Sequence, residues 1–179
     1  MKNILTIVIA ILIVTLVPIK SYADTDFYIE SDPFAFALSG HSIHVGVEGA
    51  HFRFQTGTFG ATLPDSFKDN TIFDVDQSGY GIKFDVFREK NGGAFVGIEY
   101  GISEIKFKHS VTNTTIQRDS NLLGIRTGYK YRINQTFYIM PWIGIDRNLS
   151  NTSTVQLSNE DYKINKWFVF PTIHLGMQF

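Results

Sequence analysis

The sequence predicts an all-β chain: an eight-stranded antiparallel transmembrane β-barrel with up-and-down topology. Three observations carry this. From about residue 34 to the end, apolar and polar residues alternate with a period of two, and no useful 3.6-residue period appears. The connections between these stretches are by turns tight and long, as in barrels with short periplasmic turns and long outer loops. The only long apolar run lies at the N-terminus, so no later segment reads as a membrane-spanning helix.

Composition agrees. With 179 residues, one domain is expected. A net charge of −1 excludes an electrostatic nucleic-acid binder. The absence of cysteine excludes a disulfide framework, a thiolate metal site and a cysteine nucleophile. The 16 Phe, 8 Tyr and 15 Gly suit strands better than a helix bundle.

Residues 1–23 read as a cleaved signal peptide. Lys2 opens a basic region, Ile4 to Val17 is apolar apart from Thr6 and Thr15, and Ser21-Tyr22-Ala23 has small residues where cleavage after Ala23 needs them. The run is short for a span, and Pro18 breaks it, which disfavours an anchor. Residues 24–33 are expected as an N-terminal lead, and 34–179 as the barrel.

The strands follow in order. Phe34-Ala35-Phe36-Ala37-Leu38 supplies the first, with Ser39-Gly40 as its turn; it is short and opened by Pro33. Ile43, Val45 and Val47 mark the second, and Phe52 and Phe54 the third. Tyr80, Ile82, Phe84 and Val86 mark the fourth, and Val96, Ile98, Tyr100 and Ile102 the fifth. Leu123, Ile125, Thr127, Tyr129 and Tyr131 mark the sixth. Ile139, Pro141, Ile143 and Ile145 mark the seventh, and Val169, Pro171, Ile173, Leu175, Met177 and Phe179 the last. Tight turns fall at 48–50, 91–93 and 134–136, and long polar loops at 64–78, 109–119 and 148–166. Counting back from Phe179 places the tight turns on the periplasmic side and gives an even number of strands.

The second face of these strands carries Glu48, Arg53, Lys83, Asp85, Glu99, Arg126, Lys130 and Asp146, interspersed with glycines such as Gly97, Gly124 and Gly144. Balanced charges among small residues suit the inside of a narrow barrel, where they pair. A soluble lipocalin-like barrel would instead turn this face to water. Tyr129, Tyr131, Phe137, Tyr138, Trp142, Trp167, Phe168 and Phe170 are expected near headgroup level.

The C-terminal segment His174-Leu175-Gly176-Met177-Gln178-Phe179 resembles the terminal strand signal of bacterial outer-membrane barrels, with Leu175, Met177 and Phe179 at alternate positions. In size and layout, 34–179 is similar to the small eight-stranded barrels of the OmpA and OmpX type. The usual glycine five residues before the last Phe is replaced by His174. The resemblance implies the outer membrane of a bacterium, insertion by the barrel assembly machinery, and outer-membrane lipid and lipopolysaccharide as surroundings. A structural or surface-interaction role follows, with an extracellular ligand that the sequence does not name.

Candidate chemistry is sparse. A lipid A-modifying enzyme, deacylase or acyltransferase, is the alternative function. Yet His41 and His44 fall on opposite faces of one strand, and the set His109, Ser110, Asp119 and Ser120 lacks a fixed geometry. No catalytic residue, metal ligand or cofactor is assigned. His44 and His174 both face inward, and a hydrogen-bonded role is preferred to a metal pair. Asp74 to Gly79 with Asp85 matches part of a calcium loop, but a strand begins where a helix should flank it. Asn113, Asn134, Asn148 and Asn151 open Asn-x-Ser/Thr triplets, read as loop composition. Inward Arg, Lys, Glu, Asp and Trp142 argue against an open pore.

Overall fold

The computed structural model describes residues 25–150 and 152–179. The expected signal peptide, 1–23, lies outside the described residues. Strands β1 (Asp26–Ser31), β2 (His41–Glu48), β3 (Phe52–Thr62), β4 (Phe73–Glu89), β5 (Gly92–His109), β6 (Thr115–Arg132), β7 (Phe137–Asn148) and β10 (Trp167–Gln178) form a closed antiparallel barrel. A helical turn, α1 (Pro33–Ala37), links β1 to β2. A separate hairpin, β8 (Thr154–Leu157) and β9 (Glu160–Lys163), lies in the connection from β7 to β10.

The register fixes the barrel's shape. From Glu30, the ladder runs through His44, Gly57, Gly81, Gly101 and Leu122 to Asn148 on β7. In the other direction it runs through Gly176 to Tyr138 on the same strand. Closure therefore shifts the register by the ten residues from Tyr138 to Asn148, which tilts eight strands by about 40°. Tight turns and the C-terminus share one end, the turn end. The long connections share the other, the loop end.

One expected element differs. Residues 34–38 are not the first strand; Pro33–Ala37 is helical, and the first strand is β1, inside the stretch expected as a lead. Pro33 sits at the start of the turn, where its missing N–H is not needed, and the Asp32 carboxylate accepts from Phe34 N at 2.8 Å. Upstream, Phe27 and Ile29 face outward while Tyr28 and Glu30 are buried. That is the same alternation the other strands show.

β1 is short. Its pairing with β10 ends at Ser31 and Leu175, while β10 continues to Trp167. The upper seam between β10 and β2 is covered by α1, which contacts β10, β2 and β3. Thr172 Oγ1 donates to Asp32 Oδ2 at 2.6 Å, and Ser31 Oγ donates to Ser42 O at 2.5 Å, so the turn is tied to both neighbours. Phe27 and Phe179 exchange backbone bonds, so odd-numbered β10 residues point their amides toward β1. Pro171 is odd-numbered, and its missing donor falls in the seam.

The loops are shorter than expected, because β4, β5 and β6 extend past the apolar band. Their face chemistry inverts on the way. Near the middle of β4, Tyr80, Ile82, Phe84 and Val86 are exposed and Asp85 is buried. Toward the loop end, Phe73 and Val75 are buried, while Asp74 and Asp76 point out. β5 does the same with Ile105 and Phe107 inside and Glu104 and Lys106 outside. An apolar exterior thus gives way to an apolar interior along the same strands. The hairpin closes over this extension: Val155, Tyr162 and Ile164 join Phe73, Val75, Ile105 and Phe107 in one cluster.

Candidate functional site

The interior is occupied by polar side chains, each delivered by strand alternation to the inward face. At the turn end, Lys130 Nζ donates to Glu48 Oε1 and Oε2 at 2.6 and 2.7 Å and to Gln178 Oε1 at 2.9 Å. Gln178 in turn donates to the Asp26 carboxylate. One level up, the Arg53 guanidinium donates to the Glu30 carboxylate and, at 2.8 Å, to Tyr138 Oη. It lies 3.7 Å from the centre of the Tyr28 ring. Tyr138 Oη donates to Glu30 Oε2 at 3.0 Å, and His174 Nδ1 lies 2.8 Å from Glu30 Oε1.

Above this, Arg126 grips Asp85 in a fork, Nε to Oδ1 at 2.8 Å and Nη2 to Oδ2 at 2.5 Å. The Gln55 amide, turned with its nitrogen toward Glu30, donates to Glu30 Oε1 at 2.6 Å and accepts from Arg126 Nη2 at 3.0 Å. Lys83 Nζ sits 3.9 Å from Glu99 Oε2 and 5.0 Å from the Trp142 ring centre. Glu99, Gly124 and Asp146 occupy one row across β5, β6 and β7. A side chain at Gly124 would lie 1.7 Å from Asp146 Oδ1, so glycine is what lets these two acids share the row.

The eight charged residues singled out from sequence thus all lie inside the barrel. Glu48 and Lys130, Asp85 and Arg126, and Lys83 and Glu99 come together as pairs. Arg53 is bonded to Glu30, which the sequence reading left in the lead, with Glu48 further away at 4.0 Å. Tyr28, Glu30, Gln55, Tyr138, His174 and Gln178 join the set. For Tyr28 and Glu30 the signal was their alternation with the apolar Phe27 and Ile29.

Other candidates separate. His44 and His174 stack with ring centres 5.4 Å apart and planes at 17°, so their nitrogens do not converge on one ion. Ser42 Oγ lies 3.1 Å from His44 Nε2, both 2 % exposed, and accepts from Asp32 N. His109 Nδ1 accepts from Val111 N and Thr112 N and so closes a turn. Asp119 faces outward opposite Glu104, while Ser120 is buried opposite Ser103. Asp74 and Asp76 lie on a strand, apart from Asp85, which holds Arg126. Of the aromatics expected at headgroup level, Tyr129, Tyr131, Phe137 and Trp167 face outward, whereas Tyr138 and Trp142 are interior. Leu175 and Phe179 face outward near the turn end.

No family model matches the sequence, and no curated protein matches it. Solved structures do. A major outer membrane protein from Thermus thermophilus is similar over 87 % of this chain and 99 % of that one, with 12 % identity and a TM-score of 0.51. The N-terminal β-barrel domain of Pseudomonas aeruginosa OprF is similar over 87 % and 97 %, with 9 % identity and a TM-score of 0.49. Neisserial surface protein A is similar over 87 % and 93 %, with 12 % identity and a TM-score of 0.47. Ring closure, register and the likeness to the Thermus protein together give this chain the fold of the small eight-stranded outer-membrane β-barrels.

Proposed function

We propose that this chain is an integral protein of a bacterial outer membrane, exported through a cleaved signal over 1–23. In this reading it serves a structural or surface-interaction role and has no open pore. The observation that carries the reading is the pairing of an apolar outer band with an interior of bonded charges, the reverse of a water-soluble barrel. Arg53, Arg126 and Lys130 project across the lumen to carboxylates on other strands, which leaves solutes no straight path. At the loop end, the hairpin cluster borders a cavity of about 20 Å³, room for one water. The loop end faces outward and offers a folded surface, with Asn70 donating to Asp161 O and Lys163 N to Asp69 Oδ2. Leu175, Met177 and Phe179 serve as the signal read by the barrel assembly machinery.

The test is heat modifiability combined with conductance. Membrane fractions run without boiling should give a band shifted from the boiled one, and the purified protein in planar bilayers should give no discrete channels. An unshifted band with protein in the soluble periplasm would overturn the membrane reading. Stepwise conductance would overturn the filled interior.

The Ser42 and His44 contact is the observation that favours a lipid A-modifying enzyme as a second reading. Mass spectrometry of lipid A with and without the protein tests it; a changed acyl pattern, lost in Ser42→Ala, would establish it. The buried position of both residues, beneath α1, argues for the structural role.

A further inference from the structure

The lipid-facing wall is not uniform. On β4 to β7 it forms a shallow apolar groove, floored by Val86, Val96, Ile98, Ile125, Thr127 and Ile145. Five of the six are aliphatic. The sixth, Thr127, turns its hydroxyl onto Phe95 O at 2.8 Å and presents its methyl. Valine and isoleucine are stiff at the first side-chain torsion, so the groove keeps its shape without a bound chain.

The groove's upper end meets a cation. Arg147 lies two residues beyond Ile145 on the same face, about 7 Å along the strand, and pairs in register with Leu123 and Trp167. Its guanidinium stands 5.7 Å from the centre of the exposed Trp167 ring. It takes part in none of the ion pairs among the described residues. Lys166 precedes Trp167 and is exposed. Elsewhere the outward positions beyond the apolar band are Ser78 and Asp76 on β4, Glu104 and Lys106 on β5, and Asn121 and Asp119 on β6. An anion at the rim therefore meets Arg147 and Lys166 near β7 and β10, whereas on β5 the exposed Lys106 stands in register with Asp76.

We propose that this wall binds a phosphorylated acyl lipid of the outer leaflet. One acyl chain lies in the groove, and a headgroup phosphate accepts from Arg147 while the sugar or glycerol rests on Trp167. Charge-assisted bonds to phosphate are strong because the guanidinium offers a planar fork of donors. The proposal rests on the reading that the loop end faces outward.

The test uses the full mature chain, folded in phosphatidylcholine nanodiscs that contain a small fraction of bisphosphorylated lipid A. Lipid retained after exchange into detergent is counted by native mass spectrometry. The wild type should hold one lipid A. Arg147→Gln should lower retention about tenfold, and so should lipid A stripped of its phosphates. Ile125→Trp, which fills the groove and leaves the rim intact, should lower it comparably. Neither side chain enters the interior, and an unchanged heat shift will show that both variants fold. Equal retention by wild type and Arg147→Gln, or of phosphorylated and dephosphorylated lipid, overturns the site. Retention that survives Ile125→Trp overturns the groove as the acyl subsite. Nanodiscs present lipid on both sides, so this result does not depend on orientation. Orientation is read separately by labelling Val111→Cys in intact cells with an impermeant maleimide. Absence of labelling there, beside normal lipid retention, overturns the outward placement alone.

Discussion

Glu30 is the residue whose loss the barrel should feel most. Its carboxylate holds Arg53, Tyr138 and His174, each from a different strand, and all are buried. Removing one partner of a buried pair leaves the other charge without compensation, at about 3–5 kcal/mol. Glu30→Gln should lower the unfolding free energy by that amount in urea titrations of the lipid-folded protein, because Glu48 stands 4.0 Å from Arg53 and replaces the bond poorly. A loss under about 1 kcal/mol would mean that the pair behaves as a solvated one. Two glycines give a second prediction. A Cβ at Gly124 would collide with Asp146 Oδ1, while at Gly81 the nearest atom is Tyr100 O at 3.4 Å. Gly124→Ala should cost about 1–3 kcal/mol through forced repacking of the acid row, and Gly81→Ala should be neutral within about 0.5 kcal/mol. Equal effects in the same titration would show that the row adapts freely. The charged residues were legible because period-2 alternation tells which way a side chain points. Their partners were not, since pairing depends on a closed register that no local pattern reveals.

At the scale of elements, β1 and α1 show where alternation misleads. Phe34, Phe36 and Leu38 alternate with alanines as a lipid-facing strand would, yet the segment turns as a helix. Local chemistry decides: Asp32 caps, Pro33 starts, and Ser39 takes a left-handed φ of 57° as the chain leaves. The outer extensions of β4 and β6 misled in the opposite way. Asp74, Asp76, Gln117 and Asp119 fell in stretches that read as polar loop, although Val75 and Ile116 keep the strand period on the other face. The helical turn closes the wall where β1 ends, held by Asp32 through both its cap bond and Thr172. Asp32→Ala should remove both ties, at about 1 kcal/mol each, and loosen the seam. The natural chain has no cysteine, so a single Ala35→Cys reports on it cleanly. Ala35 is 9 % exposed, and an impermeant maleimide should label Cys at this position slowly. Adding Asp32→Ala should speed labelling severalfold. An unchanged rate would show that β2 and β10 hold the helical turn without its cap.

For the whole molecule, the decisive property is the placement of the apolar band. The band is bounded at the turn end by Phe27, Phe137 and Tyr131 and at the loop end by Tyr80, Ile102, Leu123 and Val169, all exposed. Beyond it, outward positions become Asp76, Glu104 and Asp119. In the proposed membrane setting, position along a strand should set the cost of an outward charge. Ile98 lies near the middle of the band and is 58 % exposed; Tyr80 lies at its upper margin and is 68 % exposed. In water, arginine at either site would be almost neutral. In a bilayer, the cost is about 2–4 kcal/mol at the midplane and falls to about 0–1 kcal/mol near the interface. Ile98→Arg should therefore destabilise the vesicle-folded protein several times more than Tyr80→Arg, as read from unfolding in urea. The interior network is out of reach of both side chains, so the difference isolates the surroundings from the fold. Equal costs would mean that the band does not lie within the bilayer. The observed gradient would fix the depth of every other residue through the register that closes the ring.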